Sequence, residues 1–187
     1  MDVAETLFHE KGFEQTSMDQ IKTLVGMSKA TLYNYFESKE ELFLDVMHRF
    51  ARDIMMRLYE ELDPAADIVV TLQRFGEELL EFLCQPKIIA AQRVAFAESG
   101  RAKVGKDFYE YGPLQVRLQI AKYMQACMQL NKLRQDDPEL TALYLLSLLQ
   151  AEMQFPLLLE AVPVEQLPPV PVAVNRALAV FMRAYGI

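Results

Sequence analysis

A short stretch that begins at Ser28 carries side chains whose types suit contact with the edges of DNA bases. Lys29 can donate to guanine O6 or N7, and Ala30 and the methyl group of Thr31 can touch a thymine methyl. The hydroxyls that can reach phosphate oxygens in this stretch belong to Ser28, Tyr33 and Tyr35. This combination predicts a surface that reads base edges and holds the backbone beside them.

Two short helices joined by a tight turn are predicted to position this stretch. Thr16-Ser17-Met18-Asp19 opens the first helix with a cap hydroxyl and an acid three residues on. Gly26 ends it, because glycine tolerates a positive φ, and Ser28 caps the next helix. Leu32 and Phe36 lie four residues apart and form its buried side. The outward side then carries Lys29, Ala30, Tyr33 and Asn34. This division is the one that a recognition helix of a helix-turn-helix needs.

Helical periodicity and capping signals recur to the C-terminus, so the predicted fold class is all-α. A three-helix N-terminal domain with a helix-turn-helix is joined by a long helix, Ser38–Leu62, to a helical bundle. We expect residues 1–48 to bind DNA and residues 49–187 to bind an effector and dimerise.

Several boundaries along the chain follow from single residues. Gly12 is predicted to stop the first helix. Asp63-Pro64 predicts the start of a later helix, with Asp63 as its cap and the proline in its first turn. Residues 100–105 read as a basic loop, and Gly112-Pro113 starts the next helix. Pro156 is expected to kink or end an apolar helix spanning Leu140–Leu159.

The bulk composition excludes several classes of protein. The 187 residues are 52% hydrophobic, with two cysteines and no short spacing between them, so neither a disulfide framework nor a zinc site is expected. No signal peptide, membrane span or catalytic motif is found, so we expect a cytoplasmic protein that is not an enzyme and needs no cofactor or metal. The net charge of −7, with five basic and nine acidic residues in positions 1–50, restricts any DNA-binding surface to a small patch.

Two runs near the N-terminus carry a family resemblance. Phe13-Glu-Gln-Thr-Ser-Met-Asp-Gln-Ile21 and Gly26-Met-Ser-Lys-Ala-Thr-Leu-Tyr-Asn-Tyr-Phe-Glu-Ser-Lys-Glu-Glu-Leu-Phe43 resemble the N-terminal domain of the TetR/AcrR family of bacterial repressors. The stretch covers about a quarter of the chain. More loosely, Phe108-Tyr-Glu-Tyr-Gly-Pro113 and Asp136-Asp-Pro-Glu-Leu140 resemble the effector domain of an AefR-like subgroup.

The resemblance implies a homodimer that binds a palindromic operator as double-stranded DNA and responds to a small hydrophobic effector. It places the DNA contacts on Ser17, Met18, Ser28, Lys29, Ala30, Thr31, Tyr33, Asn34, Tyr35 and Lys39. Two departures stand out: Lys22 replaces a residue that is usually a small alanine, and no basic residues precede the first helix. An alternative is a helical ligand-binding or protein-interaction module without DNA binding, which the acidic N-terminal domain favours.

The C-terminal helices predict a subunit interface and a sensor. Leu140–Leu159 is apolar around most of its circumference, and the last helix carries small residues along one side, so we expect both to pack against a second copy. The residues assigned to this interface are Leu145, Leu149, Met153, Val174, Leu178 and Phe181. The side chains expected to line an effector pocket are Phe75, Phe82, Gln92, Arg93, Phe96, Tyr109, Arg117, Tyr123 and Met124. Plain core packing is the alternative for both sets.

Overall fold

The computed structural model describes residues 2–100 and 104–187, and every regular element in those ranges is helical. The helices are α1 (Asp2–Gln15), α2 (Met18–Val25), α3 (Lys29–Tyr35), α4 (Lys39–Glu60), α5 (Ile68–Leu83), α6 (Pro86–Ala97), α7 (Val104–Tyr111), α8 (Pro113–Gln129), α9 (Pro138–Gln150), α10 (Gln154–Leu158) and α11 (Val170–Tyr185), with a 3₁₀ turn at Val164–Gln166. This confirms the all-α prediction. None of the helices in the described ranges is long and apolar enough to cross a membrane.

The chain packs into two compact units that do not follow its order. An N-terminal unit comprises Met1–Arg52 and Pro86–Gly112, and a C-terminal unit comprises Asp53–Gln85 and Pro113–Ile187. The N-terminal unit includes α6 because Ala91 and Ala95 are buried in the same apolar cluster as the helix-turn-helix. A packing unit is not a functional domain, and the division by function at residues 48 and 49 stays a prediction.

Aromatic rings form the centre of the N-terminal unit. The ring of Phe43 lies 5.0 Å from that of Phe8 and 4.9 Å from that of Phe13. Gly12 adopts φ 77°, so the predicted interruption of the first helix is present as a kink rather than an end. The kink brings the Gly12 carbonyl to the hydroxyl of Thr16, which donates to it at 2.8 Å. A polar residue is thereby satisfied inside the core, where it is 2% exposed.

Helix α5 begins later than the sequence predicted. Asp67, not Asp63, is its N-cap, since one carboxylate oxygen of Asp67 accepts from the N–H groups of Val69 and Val70 at 2.9 Å. Asp63 accepts from the N–H of Ala65 instead and closes a turn. Both aspartates satisfy the local rule for a cap, and only the second is followed by apolar residues that face the core.

Helix α7 was missed. The predicted basic loop at residues 100–105 falls partly outside the described residues, at 101–103, and α7 begins directly after them at Val104. Its partly buried Val104 and Phe108 pack on the N-terminal core. With eight residues and glycines at Gly105 and Gly112, this segment carries weak helical propensity, so its structure depends on that packing.

The apolar stretch Leu140–Leu159 is two helices, not one. Helix α9 ends at Gln150, and Pro156 lies inside the five-residue α10. The break therefore precedes the proline by several residues. Proline lacks an N–H, and it is tolerated in the first turn of a new helix, where that group would have no acceptor.

Gly76 is a point of close contact between helices in the C-terminal unit. A β-carbon built on it would lie 2.8 Å from Val174 Cγ1 and 2.9 Å from Leu149 Cδ2. Both neighbours are at most 1% exposed, so neither side chain can move aside into solvent. Glycine at this position lets α5 approach α9 and α11 closely.

We therefore predict that Gly76→Ala lowers the free energy of unfolding by about 1–3 kcal/mol through overpacking, despite the better helix propensity of alanine. Chemical denaturation followed by circular dichroism measures the change. Gly100→Ala is the matched control, because a β-carbon there meets no described atom within 4 Å, and it should change stability by less than about 0.5 kcal/mol. Equal stability of Gly76→Ala and the wild type would show that the helices separate without cost.

Candidate nucleic-acid interface

A capping box holds the first turn of α2. Ser17 Oγ accepts from the Gln20 N–H at 3.3 Å, and Gln20 Oε1 accepts from the Ser17 N–H at 3.1 Å. The sequence predicted a cap here with Asp19 as the acid. The N-cap is Ser17 rather than Thr16, so the reciprocal partner three residues on is Gln20.

The turn between α2 and α3 is as short as a helix-turn-helix requires. Gly26 adopts φ 71° and ψ 25°, and its N–H donates to the carbonyl of Lys22. Ser28 Oγ then accepts from the Thr31 N–H at 3.1 Å and caps α3. A left-handed residue followed within two positions by a new cap reverses the chain, as predicted from Gly26 and Ser28.

Helix α3 is anchored on one side and exposed on the other. Leu32 is 6% exposed and belongs to the N-terminal core together with Ile21, and Phe36 is half-buried against the same cluster. The side chains on its exposed surface are Lys29, Ala30, Thr31, Tyr33, Asn34 and Tyr35. Tyr35 is 71% exposed, so its side chain is not packed against the core. We call these six residues, with Ser28, the α3 tip.

Local contacts orient the polar groups of the α3 tip. Lys29 Nζ lies 5.6 Å from the ring centroid of Tyr33, a cation–π arrangement that folds the ammonium back over the helix. The hydroxyls of Ser28 and Thr31 are 2.8 Å apart. Because the Thr31 hydroxyl is engaged at the cap, its methyl group is the part left for an apolar contact.

Lys22, the departure from the family pattern, is paired at the surface. Its Nζ lies 2.9 Å from Asp19 Oδ1, one turn earlier on α2. This hydrogen bond and the charges of Lys22 and Lys29 hold the pKa of Asp19 below its usual value. The pairing partly neutralises a carboxylate that would otherwise repel phosphate beside the α3 tip.

Two of the predicted contact residues are placed differently from the rest. Met18 is 7% exposed, so its side chain belongs to the core and has little surface to offer. Lys39 is half-buried: its Nζ donates to the Phe13 carbonyl at 2.9 Å and lies 4.0 Å from the centre of the Phe13 ring. The ammonium thus fastens the start of α4 to the end of α1.

The predicted effector residues are divided between the two units. Gln92, Arg93, Phe96 and Tyr109 lie in the N-terminal unit, and Phe75, Phe82, Arg117, Tyr123 and Met124 lie in the C-terminal unit. Phe75 and Met124 are at most 2% exposed and form core, whereas Phe96 and Tyr109 are exposed at the surface. Arg117 lies 3.6 Å from the carboxylate of Glu139. Only Tyr123 of the nine lines either of the two best-formed cavities among the described residues.

The six side chains assigned to the subunit interface are buried inside the single chain. Leu145, Leu149, Met153, Val174, Leu178 and Phe181 are each at most 5% exposed. Their periodicity marked the inner faces of α9 and α11, which form the core of the C-terminal unit. Side chains already covered by their own chain leave no surface for a partner, which corrects the residue assignment. The apolar side chains that these helices do expose include Leu143, Val172 and Val180.

A cavity of about 110 Å³ in the N-terminal unit was not anticipated. His48 lines it, stacked on Phe108 with ring centroids 5.7 Å apart, together with the carboxylates of Glu41, Asp45 and Asp107. The His48 Nε2 is buried and has no hydrogen-bond partner in the described part of the chain. The sequence pattern did not predict this cavity, because α7 was not predicted.

Comparison with known proteins identifies the class. Residues 1–46 match the family described as bacterial regulatory proteins of the tetR family, and residues 70–187 match the AefR-like transcriptional repressor C-terminal domain. The second match alone covers more than half of the chain. This chain therefore belongs to the TetR family of transcriptional regulators, in the AefR-like group, and this family consists of DNA-binding regulators rather than enzymes.

Individual relatives agree with this assignment. The solved structure of the flavonoid-responsive regulator FrrA is 30% identical, with 99% of this chain and 96% of that chain covered and a TM-score of 0.71. A TetR-family regulator from Mesorhizobium loti shares the fold with a TM-score of 0.83 at 24% identity, covering 100% and 94%. The uncharacterized regulator YhgD of Bacillus subtilis is 24% identical over 79% of this chain and 77% of its own. An uncharacterized regulator of Mycobacterium tuberculosis is 34% identical, but the match spans only 38% of each chain.

The two lysines of the interface should respond differently to removal of charge. We predict that Lys29→Met weakens binding to a specific DNA site by about 10-fold or more and leaves the melting temperature unchanged, because the side chain is exposed. Lys39→Met should lower stability by about 1 kcal/mol, because it removes the contacts to Phe13, and should leave the salt dependence of binding unchanged.

Fluorescence anisotropy at several salt concentrations, with thermal melts, separates the two effects. Each variant is the control of the other, since both remove one positive charge. If Lys39→Met reduced the slope of log K against log salt by about 1 without lowering the melting temperature, the Lys39 ammonium would leave Phe13 to bind a phosphate.

His48 predicts a pH dependence of stability. Burial lowers the pKa of His48, and the charges of Asp45 and Asp107 and the backbone of Phe108 oppose this only in part. The unfolded chain therefore takes up a proton near pH 6.5 that the folded chain does not. The contribution of neutral His48 is present above about pH 6.5 and is lost as the pH falls toward the lowered pKa.

The variant His48→Phe keeps a ring against Phe108 and removes this titration. The difference in unfolding free energy between wild type and variant should be constant above about pH 7 and should shift in favour of the variant between about pH 6.5 and pH 5. Urea denaturation at each pH measures it. A difference that does not change with pH would mean that the pKa of His48 is the same in the folded and the unfolded chain.

Proposed function

We propose that this protein is a cytoplasmic repressor that binds a palindromic operator as a homodimer and is released by a small-molecule effector. The observation that carries the DNA-binding part is the α3 tip. It lies directly after a tight turn, on a seven-residue helix that buries Leu32 and exposes one lysine, several hydroxyls and the Asn34 amide. A helix with this division can enter a major groove while its inner side stays on the core.

The acidic character of the chain supports a site-specific role. With a net charge of −7, contacts between the bulk of the protein and phosphate are unfavourable, so a single α3 tip offers little non-specific affinity. Two copies of α3 held about 34 Å apart, one helical turn of DNA, would together provide the affinity that one α3 tip lacks. The functional division into residues 1–48 and 49–187 follows from this proposal.

The outer faces of α9 and α11 support dimerisation. Leu143 and Val172 are about two-fifths exposed and Val180 is half exposed, on two helices whose inner faces form core. Ala179 adds a small exposed residue to the outer face of α11. We expect the pair of helices to meet its copy across a two-fold axis, with these side chains between the subunits.

The proposed release by a small-molecule effector is supported by similarity to known regulators. FrrA is described as flavonoid-responsive, and it aligns with almost the whole of this chain. An effector that binds one conformer of the C-terminal unit more tightly shifts the population away from the spacing that fits the operator.

Selection of bound DNA from a random pool at stated salt tests the function. We expect inverted repeats whose half-sites lie about one helical turn, or a multiple of it, apart. Tyr33→Ala should weaken binding to the selected site without unfolding the protein, whereas Tyr109→Ala, an exposed tyrosine on α7, should not. A pool without enriched sequences, from a chain that sediments as a monomer at micromolar concentration, would favour a helical module without DNA binding.

A further inference from the structure

The larger of the two best-formed cavities among the described residues lies in the C-terminal unit. It has a volume of about 230 Å³ and is lined by Tyr59, Leu62, Pro64, Gln119, Lys122, Tyr123 and Ala126. An apolar protein cavity of about 150 Å³ is enough for a benzene molecule. The space therefore accommodates a compact molecule of roughly ten non-hydrogen atoms, and it is smaller than the pockets of about 300 Å³ or more that take drug-sized ligands.

A buried hydroxyl beside this cavity lacks a partner. Tyr123 is 4% exposed, and its hydroxyl makes no hydrogen bond within the described residues. The side chains of Cys127 and Thr71 are close enough to influence its pKa. An unsatisfied buried hydroxyl costs about 1–3 kcal/mol, so an acceptor inside the cavity would be stabilised by it.

Each polar side chain that lines the cavity can donate a hydrogen bond. Burial raises the pKa of Tyr59 to about 12 and raises the pKa of Tyr123 as well, so both phenols keep their protons at every physiological pH. Gln119 accepts from Lys122 Nζ at 3.5 Å, which leaves its amide N–H groups available as donors. Lys122 itself is exposed at the edge and brings a positive charge.

The wall formed by Pro64 carries a second positive charge. Lys132 Nζ donates to the carbonyls of Pro64 at 2.6 Å and Ala65 at 2.9 Å, and also to that of Ala66. Asp63 is the nearby carboxylate that opposes an anion, and its Oδ1 already accepts from the Ala65 N–H at 2.8 Å. Leu62, Pro64 and Ala126 give the remaining wall an apolar character.

We propose that this cavity binds a small organic carboxylate whose oxygens accept from Tyr59 and Tyr123 and whose compact apolar body contacts Leu62, Pro64 and Ala126. Lys122 provides the counter-charge at the edge. The further step, that such a carboxylate is the effector, rests on the function proposed above.

Calorimetric titration of the full chain with benzoate tests the site, with benzyl alcohol and benzylamine as neutral and cationic probes of the same ring. We expect saturable benzoate binding with a Kd of about 1 mM or below, and binding of benzylamine at least about 10-fold weaker. Tyr123→Phe and the surface variant Lys122→Ala should each weaken benzoate binding by about 10-fold, the value of one hydrogen bond or ion contact to a charged group.

Tyr144→Phe is the matched control, since Tyr144 is an exposed tyrosine on α9 that does not line this cavity. The proposal is overturned if benzoate does not bind, if benzylamine binds equally well, or if Tyr144→Phe weakens binding as much as Tyr123→Phe. Operator affinity measured with and without benzoate is the second readout. Benzoate binding that depends on Tyr123 and leaves operator affinity unchanged would support the site and overturn its role as the effector site. Failure to bind any DNA would overturn the proposed function but not the proposed carboxylate site.

Discussion

The packing of one leucine determines whether the α3 tip exists. Helix α3 has seven residues, and a helix of that length is not stable alone in water. It is held by the cap at Ser28, which satisfies one N–H, and by Leu32, which is buried with Ile21 and Phe43. Every exposed side chain of the tip takes its direction from this anchor. The rest of the N-terminal unit, including α6 and α7, builds the core into which Leu32 fits.

Positive charge at the interface is scarce, and part of it is used inside the protein. Lys39 is bound to Phe13, and Lys22 is paired with Asp19, so Lys29 is the lysine of the helix-turn-helix that lies on the α3 tip. A surface with so little positive charge gains little binding affinity from contacts with phosphate alone. Recognition then depends on base-edge contacts and on the distance between two tips, both of which require a rigid support. The ammonium of Lys39 contributes to that support by joining α4 to α1.

Local rules predicted the elements whose signals are local. The cap at Ser28, the left-handed Gly26 and the exposed side of α3 follow from residue type and spacing within one turn. Those rules failed where two candidates satisfy them equally, as with Asp63 and Asp67, because only the position of the core separates a cap from a turn. Helix α7 was missed for a related reason: its stability comes from contacts of Phe108 with residues far away in sequence.

The same limit explains why the interface residues were assigned to the wrong face. In α9 and α11, one side packs in the C-terminal unit and the other exposes apolar residues among polar ones, so each helix carries more than one apolar stripe. Periodicity then finds the most regular stripe, which is the intrachain core of Leu145 and Val174. The surface left for a second copy is the weaker and less regular stripe of Leu143, Val172 and Val180. In the proposed function, core and interface share these two helices, so a ligand that shifts the core side of α9 or α11 would also move the side expected to face the partner. A methyl group at Gly76 would overlap Val174 and Leu149, so a displacement of one of these closely packed helices would displace the others.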